Sequence, residues 1–162
     1  MNKSIGVISD THISNSKEHI NPEVFTILNG VSAIFHSGDI THDSVLQDLE
    51  TIAPVYAVGG NMDPPDIQQA LPKSLTVELF GKIFGIIHGW GSHYGLIDKV
   101  KSHFHGQKLD CIVFGHSHEA TIHREDNILF FNPGSLRNPK GFRTLGILEL
   151  TRKAINPKII KF

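Results

Sequence analysis

"CIVFGHSHEA", residues 111–120, runs from an apolar stretch through a glycine to His116 and His118, set on either side of Ser117. Its first part is short, apolar and β-branched, the pattern of a strand buried on both faces. Its second part is polar, so the chain would leave a buried sheet and deliver two imidazoles at the sheet's edge.

The pattern recurs on the N-terminal side of this stretch. Residues 4–9 ("SIGVIS"), 31–36 ("VSAIFH"), 55–58 ("VYAV") and 82–87 ("KIFGII") also read as buried strands. They run into Asp10 and His12 of "DTH", Asp39 of "SGD", Asn61 of "GGN" and His88 of "HG". Between them, residues 22–28, 43–52 and 96–104 carry apolar side chains at helical spacing, with Pro22 suited to a first turn and Asp43 to a cap. Alternating strands and helices predict a largely parallel sheet. After residue 118 the strand-like runs follow one another through polar turns, which predicts an antiparallel, hairpin-rich C-terminal portion on the same core. "NMDPPD", residues 61–66, reads as an exposed turn.

A chain of 162 residues suits one domain, here 1–162. Lys+Arg 15 against Asp+Glu 16 gives no broad basic surface, so duplex nucleic acid is not an expected partner. The start lacks the apolar segment of a signal peptide, and no run approaches the roughly 18 apolar residues of a membrane span. Cys111 is the single cysteine and can form neither an internal disulfide nor a cysteine-based zinc site. The expected location is cytoplasmic, without membrane association.

In a parallel α/β sheet the carboxyl ends of the strands open onto one crevice, where ligands bind. A lone "DTH" is explained as well by an Asx turn, and "GD" or "GN" by ordinary turns. Five such strand ends in succession point instead to a cluster of Asp, His and Asn without Cys, which suits borderline divalent ions. One ion cannot use so many ligands and keep an open position. Two can, if a carboxylate bridges them, and two such ions suit in-line displacement at phosphorus.

The order Asp-x-His, Gly-Asp, Gly-Asn, His, Gly-His-x-His resembles the calcineurin-like metallophosphoesterase superfamily. The short chain and the "NPGS" motif at 132–135 are similar to its small single-domain phosphodiesterase branch, and also to the metallophosphoesterase-like subunit of the retromer coat. The resemblance implies a four-layer αββα sandwich with mixed sheets. It implies that Asp10, His12 and His118 hold one metal, that Asn61, His88 and His116 hold the other, and that Asp39 bridges them. It further implies two divalent ions, Mn²⁺ foremost with Zn²⁺, Ni²⁺ or Fe²⁺ as alternatives, and hydrolysis of a small phosphoester, a diester foremost, by a hydroxide bridging the metals. Asp39, Asn61 and His88 would act through the metals and by positioning phosphate. A non-catalytic scaffold for protein contacts is the alternative, and self-association is left open.

The sequence departs from the family at "GNMD". Met62 stands where the superfamily commonly has a histidine that stabilises the transition state or protonates the leaving group, and a thioether donates no proton. Asp63 keeps the acidic position, with the expected role of orienting an imidazole. His93 is a substitute donor to consider, and His36 a hydrogen-bonding partner behind the metal ligands. Ser135 and Arg137 are expected to touch phosphate at the rim, the arginine by bidentate geometry. Loops 13–21 and 90–95 are expected to shape substrate choice.

Overall fold

Strand β1 (Lys3–Ile8) sends Ile5 and Val7 into one apolar cluster and Ile8 into another, so both faces of its sheet are covered. The same division holds in β6 (Cys111–Val113), where Cys111 and Val113 face one cluster and Ile112 a second. Three apolar layers therefore separate four layers of structure. These are seen in a computed structural model that describes residues 3–15, 17–137 and 141–162. Ser16, in the expected 13–21 loop, lies outside the described residues.

The first sheet contains β1, β2 (Ala33–His36), β3 (Val55–Ala57), β9 (Thr144–Leu150) and β10 (Ile155–Lys161), in the order β10-β9-β1-β2-β3. The second contains β4 (Ser74–Leu79), β5 (Lys82–Ile87), β6, β7 (Thr121–Glu125) and β8 (Ile128–Asn132), in the order β4-β5-β6-β8-β7. Ile5, Val7 and Phe35 of the first sheet meet Phe84, Val113 and Phe131 of the second in the central layer. Helices α1 (Pro22–Ile27), α2 (Ser44–Glu50) and α3 (Pro65–Ala70) cover the outer face of the first sheet through Val24, Val45, Leu49 and Ile67. Helix α4 (Leu96–His103) covers the second through Leu96 and Val100. This is the αββα sandwich that the resemblance implied.

The parallel core is divided rather than continuous. β1, β2 and β3 are parallel in one sheet, while β5, β6 and β8 are parallel in the other. The antiparallel C-terminal strands serve both sheets, since β7 pairs with β8 while β9 and β10 extend the first sheet beside β1. Two elements go beyond the sequence reading. Residues 65–66 begin helix α3 instead of ending an exposed turn, with Pro65 in the first turn, where a missing N–H costs no helical bond. Ser74–Leu79 forms an edge strand turned back onto β5 through Phe80 and Gly81, both at positive φ, as a tight two-residue hairpin requires.

Candidate metal centre

The ends of β1, β2, β5 and β6 bring two carboxylates and three imidazoles together between the sheets. Nε2 of His118 lies 3.1 Å from Oδ1 of Asp10, and Nε2 of His12 is 3.7 Å from that oxygen and 3.6 Å from Oδ2 of Asp39. Nε2 of His88 is 3.3 Å from Oδ2 of Asp39 and 4.0 Å from Oδ1 of Asp10. Asp10, His12 and His118 form one group of ligand atoms close enough to share a cation, and Asp10, Asp39 and His88 form another. Asn61 and His116 meet beside them, with Oδ1 of the amide 3.1 Å from Nδ1 of the imidazole.

Local backbone explains how these side chains converge. Asp10, His12, Asp39, His116 and His118 all have positive φ, a region that side-chain-bearing residues seldom occupy and that concentrates at functional sites. Backbone hydrogen bonds hold the bends, from Asp10 N–H to Gly38 O (3.0 Å), His12 N–H to Asp39 O (3.2 Å) and Gly115 N–H to His88 O (3.0 Å). Gly115 and Gly60 are required by close approach. A Cβ at Gly115 would fall 2.0 Å from Oγ of Ser9 across the sheet interface, and one at Gly60 would fall 2.2 Å from Oδ1 of Asp39.

Each ligand is also oriented from behind. The Met62 N–H donates to Oδ1 of Asp39 at 2.8 Å, and this leaves Oδ2 for His88 and His12. Nδ1 of His88 donates to Ser37 O at 2.7 Å, so the lone pair of the neutral ring sits on Nε2. That nitrogen and Oδ1 of Asp10 are both buried without a hydrogen-bond partner of good geometry, although His118 lies 3.1 Å from the Asp10 oxygen. Buried atoms of this kind are costly unless something satisfies them. Nε2 of His116 donates to Gly91 O at 2.7 Å, and in the tautomer that needs no second proton its Nδ1 is an acceptor facing the Asn61 carbonyl oxygen. Acceptors turned toward one another across a small gap suit a cation between them, and a nitrogen–oxygen donor set suits a divalent metal.

The electrostatics point the same way. Burial opposes ionisation of Asp10, but His118 and His12 outweigh it and hold the carboxyl well below the usual range. Burial also opposes ionisation of Asp39, which His88 and the Met62 N–H hold below its ordinary value. Burial disfavours a proton on His88, yet Asp39 and Asp10 raise its pKa, and Asp10 raises that of His118. The pocket therefore favours positive charge between the carboxylates, whether a proton or a metal supplies it. His36 is the exception. Burial drives its pKa down to about 3, and the neutral ring accepts from Gly38 N–H while its other nitrogen lies 3.2 Å from Oγ1 of Thr11.

Residues 4–153 match the family model described as the calcineurin-like phosphoesterase superfamily domain. The chain belongs to this family. It is 37% identical over 138 residues to a probable metallophosphoesterase of Methanothermobacter thermautotrophicus, a match covering 84% of this chain and 78% of that one. It is 30% identical over 165 residues to a phosphodiesterase of Methanocaldococcus jannaschii, covering 92% and 94%. Vps29 of Chaetomium thermophilum superposes with a TM-score of 0.77 over 99% of this chain and 93% of that one, and at 20% identity this likeness concerns the fold.

In this phosphoesterase domain the seven residues expected as metal ligands lie together, and the other residues singled out by sequence make the following contacts. Ser135 is buried, and its hydroxyl donates to Asp10 O at 3.0 Å, so it holds the first ligand loop. The Arg137 guanidinium donates to His12 O and to Oγ of Ser14, so it buttresses the backbone behind His12. Asp63 orients no imidazole among the described residues. It accepts from Thr41 N–H at 2.6 Å and Gly60 N–H at 2.7 Å, tying the loop after β3 to the loop after β2. His93 is exposed and meets His116 ring to ring at 5.3 Å.

Within the NPGS motif, sequence reasoning gave Asn132 no role of its own. Its side-chain amide donates to Gly115 O at 2.9 Å and to Oγ of Ser117 at 3.0 Å, while its carbonyl oxygen accepts from Gly134 N–H. An asparagine ending a strand immediately before Pro-Gly was the available signal, since asparagine readily bonds backbone two residues on.

Proposed function

We propose that this chain is a phosphodiesterase that uses two divalent metal ions, Mn²⁺ foremost, on small phosphoesters in the cytoplasm. The observation that carries this reading is the buried pair of unpartnered acceptors, His88 Nε2 and Asp10 Oδ1, beside Asp39 Oδ2. Asp10, His12 and His118 would hold one ion, His88, Asn61 and His116 the other, with Asp39 shared. When bound, such ions supply Lewis acidity, making water a usable nucleophile near neutral pH and offsetting charge on the phosphoryl oxygens.

The chain's own groups position this chemistry. Ser37 O fixes the His88 ring, Met62 N–H fixes Asp39, and Gly91 O fixes His116. Met62 projects outward at 60% exposure and offers no proton, so a leaving group must depart as its anion unless solvent protonates it. Aryl esters satisfy that condition better than alkyl esters.

The test is hydrolysis of bis(4-nitrophenyl) phosphate by metal-stripped protein titrated with Mn²⁺, alongside 4-nitrophenyl phosphate. Activity that rises with metal and prefers the diester is expected. The thioether at Met62 favours a second reading, a metal-binding scaffold for protein contacts, and metal uptake without hydrolysis of either ester would establish that one instead.

A further inference from the structure

A cavity of about 480 Å³ opens directly off Asn61 and His88. Gly59, Gly60 and Gly89 line part of it without side chains, while Leu71 and Ile87 supply apolar walls. Trp90, the single tryptophan of the chain, stands in the lining and is 46% exposed. Exposed Lys73 adds a hydrogen-bond donor, while the Gln68 amide beside it donates to Asp63 O at 2.6 Å.

Trp90 is fixed from several sides. Nζ of Lys99 donates to Ser92 O at 2.7 Å and to Trp90 O at 3.3 Å, which ties the loop to α4. Nε2 of His116 donates to Gly91 O, so the same loop is bonded to a candidate metal ligand. The His103 ring meets the indole edge-on at 6.2 Å and is itself 3.0 Å from Oγ of Ser74. The backbone that carries Trp90 is thus tied down and the half-exposed indole has few torsions to lose, so it loses little freedom on binding. The cavity volume falls within the range of small-molecule sites.

We infer that this cavity binds a planar aromatic group on one arm of the phosphoester, stacked on Trp90, while the phosphoryl group sits at the metal centre. The inference rests on the phosphoesterase reading and adds a substrate class to it, aryl or nucleoside phosphodiesters rather than alkyl ones. A flat ring suits a space walled by glycine backbone and by Leu71 and Ile87, and the Lys73 ammonium can donate to the acceptors of a heterocycle.

The experiment compares phenylphosphonate with methylphosphonate, which share an anion and differ in the ring, on Mn²⁺-loaded protein. Because Trp90 is the only indole, saturable quenching of tryptophan fluorescence by phenylphosphonate reports its position, and calorimetry gives both affinities. Phenylphosphonate should bind about tenfold more tightly, in line with base–aromatic stacking. Trp90→Ala should bring the two to within about twofold, and Trp90→Phe should restore part of the preference. Equal affinities in the parent protein, binding of neither ligand, or a preference that survives in Trp90→Ala would overturn the inference. Hydrolysis of bis(4-nitrophenyl) phosphate, followed in the same preparations, separates the two readings. Hydrolysis with equal phosphonate affinities removes only the aromatic site, while ring-selective binding without hydrolysis removes only the esterase.

Discussion

Nε2 of His88 lies 3.3 Å from Oδ2 of Asp39, although the two residues end strands in different sheets. Both side chains are buried, and each is fixed by a backbone group, His88 by Ser37 O and Asp39 by Met62 N–H. The pair therefore spans the sandwich at the point where the candidate metal centre forms. Replacing Asp39 with asparagine keeps the shape and removes the charge. If the proposed function holds, Asp39→Asn should lack both the Mn²⁺-dependent hydrolysis and the Mn²⁺-induced rise in melting temperature expected of the parent, because a ligand that binds only the folded state stabilises it. Near-normal activity and metal content would exclude a shared role for Asp39.

Gly60 packs its Cα against that carboxylate, and a Cβ there would fall 2.2 Å from Oδ1 of Asp39 and 2.3 Å from its backbone nitrogen. Gly60→Ala must push the loop after β3 away from the loop after β2. The expected cost is about 1–3 kcal/mol of stability, together with weaker metal binding, read by urea unfolding and by metal titration. An unchanged midpoint with unchanged affinity would show that the loops can part without consequence.

Met62 offers the converse experiment. Met62→His places an imidazole on a side chain that already points outward at the rim of the site. Hydrolysis of alkyl phosphodiesters should rise by about tenfold or more, with a smaller gain for aryl esters, because general acid catalysis matters most for poor leaving groups. An equal change for both substrates would mean that the new imidazole does not reach the leaving oxygen.

His36 supplies a pH signature. Its pKa is about 3 in the fold against 6.5 ordinarily, so between these values the unfolded chain holds the extra proton. Stability from this residue is complete above 6.5 and is lost as pH falls toward 3. The slope it contributes is up to ~1.4 kcal/mol per pH unit. His88 and His118, whose pKa values are raised, contribute with the opposite sign in metal-free protein, and they do so in parent and variant alike. Metal-free His36→Gln should therefore unfold with a shallower dependence on pH than the parent across the mildly acidic range. Parallel slopes in urea titrations would show that His36 is not held neutral.

The sequence by itself determined the parts that depend on neighbouring residues. Apolar runs ending at residues 9, 36, 58, 87 and 114 marked five strands, because a strand buried on both faces has no polar alternation to hide it. The Asp, His and Asn residues after those strands were legible for the same reason, since they break the runs abruptly. Ser74–Leu79 was not legible, because an edge strand of mixed burial carries a weak pattern. The division of the parallel strands between two sheets also had to come from packing, as β1 and β6 look alike in sequence and differ only in their neighbours.

Tertiary structure alone decided what the remaining polar residues do. Ser135, Arg137 and Asp63 look equally able to meet a phosphate, a ring or the backbone, and only the approach of distant loops sends them to Asp10 O, His12 O and the Gly60 and Thr41 N–H groups. Trp90 is one aromatic residue in a loop until Lys99, His116 and His103 fix it beside the cavity. Strand identity is written in local periodicity, whereas the partner of a hydrogen-bonding group is set by residues far away in the chain, which only the folded sandwich brings within reach.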